Sequence, residues 1–203
     1  MRLLCIAAYC SVLLCSTGCD SANRSRLDSG QSTLSTSPTE FQSEEFKRAV
    51  ETIRSTGAEI VQGNDGQATG VNMGQVEVTD TLATQIALLD QLERLIIGES
   101  VMTTAGWQKL GQLNNLRQLD LRDCPLNNDQ LEAIVKDLSK LKALRLNGTS
   151  GRTTVDDSGL AGLANCTELQ VLAIDGLWVG SQGLEHLKGK LKLIEFYASG
   201  TTI

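Results

Sequence analysis

The chain has 203 residues, 41% of them apolar, enough for one well-filled core and short for two, so a single folded domain is expected. Its 18 basic against 24 acidic residues give a formal charge of -6, without the broad positive field that phosphate backbones or anionic membrane surfaces require. Aromatic residues make up only 3%, too few for the stacking platforms of single-strand binders, and nucleic acid is excluded as an expected partner.

Cysteine usage is lopsided: Cys5, Cys10, Cys15 and Cys19 fall at the start, Cys124 and Cys166 far downstream. The opening "MRLLCIAAYCSVLLCSTGCDS" has one basic residue, Arg2, followed by an apolar run from Leu3 to Cys15. That run is short for a bilayer span and suits the hydrophobic region of a secretory signal. Ser16-Thr17-Gly18-Cys19 then places small residues before a cysteine and resembles the lipobox of bacterial lipoproteins, although Ser16 stands where leucine is usual. The resemblance implies cleavage after Gly18 and acylation of Cys19. An ordinary secretory signal cut nearby is the alternative, and both export the domain.

From Asp20 to Ser43 the chain is rich in Ser and Thr with no hydrophobic period, so it lacks the apolar surface to offset its ordering entropy. Anchored at Cys19, such a tether would hold the domain on the order of 25 to 30 Å from a membrane. Between Glu44 and Ser55 the residues Phe46, Ala49, Val50 and Ile53 make one apolar helix face, and Gly57 ends the helix. Extended runs follow at Glu59 to Gln62 and Ala68 to Met73, joined by "GNDG", whose Asp65-Gly66 is a hairpin-turn signal. The stretch "GNDGQATG" lacks the Gly-Lys-Ser/Thr ending of a phosphate cradle.

The remainder is periodic. The pattern L-x-x-L-x-L recurs as Leu92-Leu95-Ile97, Leu116-Leu119-Leu121, Leu141-Leu144-Leu146, Leu169-Leu172-Ile174 and Leu191-Ile194-Phe196. A second signature keeps step: Met102 and Trp107, Leu126 and Leu131, Val155 and Leu160, Val179 and Leu184, each second residue opening a short run of helical spacing. Each unit therefore reads as strand, turn, short helix, and Val71-Asn72-Met73 supplies a divergent first strand.

Two signatures recurring in register resemble the leucine-rich repeat family, in its cysteine-containing or ribonuclease-inhibitor-like subclass, as carried by bacterial lipoproteins. The resemblance implies an α/β solenoid with parallel strands on the concave face and short helices on the convex face, because one unit cannot bury its own leucines and stacked units can. The expected organisation is a signal peptide over 1–18, lipidated Cys19 and tether over 19–43, a helix-hairpin N-terminal cap over 44–70, and repeats over 71–203 that stop without a C-terminal cap. Three residues past the last strand leucine lie Ser100, Cys124, Thr149, Leu177 and Ser199, a position where the family turns a weakly polar side chain inward. Cys124 is thus expected to pack rather than react, and Cys166 ends the preceding helix. A disulfide between them is opposed by their places at opposite ends of a repeat.

No catalytic constellation is visible. His186 is the one histidine, on an outward helix position; two isolated cysteines do not make a zinc spacing; and Asp156-Asp157 are adjacent residues on a turn. The expectation is a non-enzymatic protein with no cofactor or metal. In the family the strands form a binding platform, and within each unit the residue between the last two apolar positions faces outward. That column is Ile96, Asp120, Arg145, Ala173 and Glu195; the next is Gly98, Arg122, Asn147, Asp175 and Tyr197. Asp120 and Arg145 are positioned to pair with each other, and a solvated mixed face is as good a reading as a ligand face. Trp178, without a large apolar equivalent in most units, is a candidate anchor if exposed on the strand-to-helix turn, with folding into the core an equal alternative. The expected role is an envelope-anchored lipoprotein binding a protein or envelope polymer. The alternatives are a structural component that self-associates through its uncapped end, or a shortened remnant of a longer repeat protein.

Overall fold

The computed structural model describes residues 38–203 apart from Asp123 and 189–191. The expected signal, Cys19 and most of the tether lie outside the described residues. Helix α1 (Pro38–Ser55) starts six residues before the expected Glu44. Its first residue explains the early start, since proline has no N–H to leave unbonded there and its φ already suits a helix. Strands β1 (Glu59–Gln62) and β2 (Ala68–Met73) form the expected antiparallel hairpin, with Gly66 at φ 79 in the turn.

Strand and helix then alternate: α2 (Asp80–Ile86), β3 (Arg94–Ile97), α3 (Thr104–Leu110), β4 (Gln118–Asp120), α4 (Asn128–Val135), β5 (Ala143–Asn147), a 3-10 helix η1 (Gly159–Asn165), β6 (Val171–Asp175), α5 (Ser181–Glu185) and β7 (Glu195–Tyr197). The strands lie in sequence order in one seven-stranded sheet, parallel from β2 onward. Val71 pairs with Leu95, Leu95 with Leu119, Leu119 with Leu144 and Leu144 with Leu172, so the repeat phase read from the leucines is the register of the ladder. All four of these leucines, with their companions Leu92, Ile97, Leu116, Leu121, Leu141, Leu146, Leu169 and Ile174, are buried. Each is worth about 1.5–3 kcal/mol relative to an exposed side chain, and neighbouring units share the layer so formed.

Helix starts follow their caps. Thr79, Thr103 and Asn127 accept from the backbone N–H of Leu82, Gly106 and Gln130, and Asn127 with Gln130 completes a reciprocal capping box. The units that open at Ser158 and Gly180 have no side-chain cap and form only η1 and the five-residue α5. A second inter-unit device was not foreseen. Asp80 accepts from Thr103 N (3.0 Å) and Thr103 Oγ1 (2.6 Å), Asn128 from Asp156 N (3.1 Å), and Asp157 from Gly180 N (2.6 Å), each joining the start of one helix to the start of the next. A glycine makes room each time: a Cβ on Gly106 or Gly159 would press on Asp80 Oδ1 or Asn128 Oδ1, and one on Gly183 would lie 2.6 Å from Asp157 Oδ1.

Two expectations need correction. The last unit is not Leu191-Ile194-Phe196. Glu195 N donates to Gln170 O (3.0 Å), as Val171 N donates to Lys142 O (2.9 Å), so Glu195 takes the ladder place of Val171 and Phe196 that of Leu172. The true pattern is Leu193-Phe196-Ala198, with Leu193 and Ala198 partly buried against the core and Ile194 78% exposed. Second, the inward polar position of the β5 unit is Thr153, not the exposed Thr149. This unit carries extra residues between strand and helix, and Thr153 Oγ1 reaches back to donate within 2.8 Å of Cys124 O and 2.9 Å of Asn147 O. A helix not read from the sequence, α2, also precedes β3; Val78 just before it and Ala83 within it, both buried, repeat the five-residue signature with a side chain too small to advertise it.

Cys124 packs as expected. It is fully buried, and its thiol donates to Gly98 O at 3.1 Å, an approach that keeps the backbone of the two units close. Cys166 stands in the column of Leu89, Leu113 and Leu138, all buried, and its thiol is pushed up to about 11 by burial. Cys166 is a free thiol, so no bond joins the two.

Candidate functional site: the exposed strand face

Residues that alternate with the buried leucines must face away from the helices. The observed register sorts them into columns. Asn72, Ile96, Asp120, Arg145, Ala173 and Tyr197 are successive neighbours, and two residues earlier on each strand Gly70, Arg94, Gln118, Ala143, Val171 and Glu195 form a second column. Glu195 and Tyr197 therefore each sit one column earlier than expected, because the last unit's phase differs by two. The column of Arg94, Gln118, Ala143 and Val171 was missed, although the same alternation rule points to it.

The acid at the centre is already satisfied. Asp120 is 8% exposed, and Arg122 clamps its carboxylate with Nε at 3.0 and 3.1 Å and a terminal nitrogen at 2.8 Å. The expected Asp120–Arg145 pair does not form. Arg122 lies just past the end of β4, where the chain turns, and its planar guanidinium matches both carboxylate oxygens. Asn147 and Asp175 are also occupied: Asn147 Oδ1 accepts from Thr149 N (2.7 Å), and Asp175 Oδ1 from Ser199 N (2.8 Å). These side chains fix the exits of the strands.

The remaining surface is more open. Arg145, half-buried and without an ion pair among the described residues, is followed in its column by Ala173 and then by Tyr197. Ala143 and Ala173 are each 6% exposed, low points between the longer side chains around them. Tyr197 is half exposed, and its hydroxyl donates to Glu195 Oε2 at 3.0 Å. That bond and the Glu195 charge hold the phenol's pKa above its ordinary value. Ile96 is half-buried at the other end of the column. Trp178 lies apart, 75% exposed on the turn after β6, bridged to Asp156 rather than folded into the core.

Asp156 and Asp157 diverge. Asp156 Oδ1 accepts from Asn128 Nδ2 and Ser158 N (both 2.8 Å), and the Asn128 bond leads in holding its carboxyl below the ordinary range. His186 is exposed at the end of α5. Among the described residues no group of three His, Cys, Asp or Glu is placed to hold a metal ion, and no helix is long and apolar enough to cross a membrane.

No family model matches the sequence, and no curated protein matches it. Among solved structures the chain is similar to the leucine-rich-repeat ectodomain of the receptor kinase SOBIR1 from Arabidopsis thaliana, at 15% identity and a TM-score of 0.41. The match covers 78% of this chain and 97% of that one.

Proposed function

We propose that residues 71–203 form a leucine-rich-repeat solenoid of the cysteine-containing kind, with the strands on its concave side, the helices on its convex side, and α1 with the β1–β2 hairpin as the N-terminal cap. Its role is non-enzymatic binding of a protein or envelope polymer across the strand face. One observation carries the reading: Arg145 and Tyr197 rise on either side of Ala173, an arrangement of cation, low apolar floor and aromatic wall. Such a patch suits an extended segment with an acidic or aromatic group. In this reading the domain is exported and held by lipid on Cys19 at the cell envelope, which rests on the small residues Ser16-Thr17-Gly18 before that cysteine.

A photo-cross-linking residue at Ala173, compared in intact cells with one at the exposed Glu132 of α4, tests the binding face. Specific capture from position 173 alone supports it, and equal or absent capture from the two positions refutes it. Fatty-acid labelling of the natural chain against Cys19→Ala tests the anchor separately, and equal labelling of both would remove it. A second reading, self-association, is favoured by the exposure of Ile194, Phe196 and Ile203 around the last strand.

A further inference from the structure

Large exposed hydrophobics among the described residues concentrate at one end: Ile194 (78%), Phe196 (39%) and Tyr197 (50%) sit on or beside β7, with Trp178 and Ile203 on the flanking turns. Behind them Leu187, Leu193 and Ala198 are only partly buried. The layer that is closed between the strands from β2 to β6 is half open here, and among the described residues no strand lies beyond β7.

The edge has a definite hydrogen-bonding parity. Glu195 N donates inward to Gln170 O, so along an extended strand the N–H and C=O of Phe196 point away from β6. We propose that β7 pairs antiparallel with β7 of a second copy of this chain, about a two-fold axis at Phe196. The reading rests on the self-association favoured above and shares Tyr197 with the proposed binding face, but its test reads strand pairing and not ligand capture. About that axis the two Phe196 residues exchange a pair of backbone hydrogen bonds. Their side chains, which share the buried face with Leu172, meet and close the open layer.

The second copy is chosen by charge and by the polar pair already present. Glu195 is the one charged residue of β7, and a parallel in-register partner would set the two Glu195 carboxylates side by side. In the antiparallel arrangement Glu195 falls opposite Tyr197 of the other copy. The hydroxyl-to-carboxylate bond seen within each chain at 3.0 Å is then available in both directions across the interface.

The full-length chain in mild detergent, followed by native mass over a range of concentrations, is expected to give a monomer–dimer equilibrium. Phe196→Lys should raise its midpoint at least about tenfold. Register is read by mixing two single variants, Glu195→Cys and Tyr197→Cys, both at exposed positions, and mapping disulfide-linked peptides by mass. Opposed residues lie within bridging distance, whereas equivalent residues are separated by more than about 7 Å. A 195-to-197 link that forms in the mixture and in neither variant alone supports the pairing. A link in the single-variant samples, a strict monomer at all concentrations, or a dimer lacking the mixed link overturns it.

Discussion

Substituting Gly106 by alanine isolates the device that ties one helix start to the next. Position 106 is the third residue of α3, where alanine ordinarily gains up to about 1 kcal/mol over glycine. Here the new Cβ would lie 3.0 Å from Asp80 Cγ and closer still to Oδ1, so the carboxylate must swing away from Thr103. Two hydrogen bonds to a charged acceptor are then lost, the Thr103 N bond at 3.0 Å and the Oγ1 bond at 2.6 Å. Such bonds are worth about 1.5–3 kcal/mol each when shielded, and at this partly exposed site we take roughly 1–1.5 each. After the propensity gain, Gly106→Ala should destabilise by about 1–2 kcal/mol, a fall in Tm of about 3–8 °C. The diagnostic is the sign in a second background. With Asp80→Ala already made, the bonds are gone and Gly106→Ala should become neutral or mildly stabilising, held back only by Met102 Cβ at 3.2 Å. Urea unfolding of the four chains, followed by circular dichroism, measures the coupling. The reasoning fails if Gly106→Ala stabilises the natural chain, or if its effect is unchanged by Asp80→Ala.

Cys124→Ser should cost only about 1 kcal/mol, since a hydroxyl there keeps a donor aimed at Gly98 O, and a denaturation midpoint checks it. Thr153→Val removes the donor shared by Cys124 O and Asn147 O and should cost about 1–3 kcal/mol by the same assay; an unchanged midpoint would mean those carbonyls find other partners. Cys124 and Cys166 should resist alkylation near pH 8 in the folded chain and react on unfolding, which peptide mass mapping resolves; rapid labelling of the native chain would contradict their burial. Because the folded-state pKa of Asp156 is depressed below its ordinary 3.8, its contribution is present above that value and is lost as pH falls through the folded pKa. Asp156→Asn should therefore flatten the acid limb of a stability-against-pH curve, and an unaltered limb would exclude the residue from it.

The sequence made the stack legible wherever leucine filled the inward positions: the registers of β3 to β6 follow directly from the L-x-x-L-x-L spacing. It misled where small or misplaced apolar residues carried the signal. Ala198 closes the last unit, while Ile194 and Phe196 two residues earlier imitate the pattern, and only the backbone bond to Gln170 decides between them. Ala83 concealed α2 for the same reason. At the candidate site, alternation put Arg145 and Ala173 in one column, as the ladder does. Which charges cancel was not legible, because the partner of Asp120 depends on how the chain turns after β4 and aims Arg122, and no spacing rule encodes that.

The extra residues of the β5 unit leave the ladder undisturbed. Leu144 pairs with Leu172 as elsewhere, Thr153 resumes the inward column, and the surplus leaves the stack through Gly151 at φ 72. Arg152 extends from this excursion to an ion pair with Glu99, on the exit of β3, at 2.9 Å. Chain length at this point is thus uncoupled from the periodicity of the fold. Residues 149–152 form a natural graft point where an epitope, a reporter peptide or a second recognition loop can be spliced in beside the strand face without retuning any leucine.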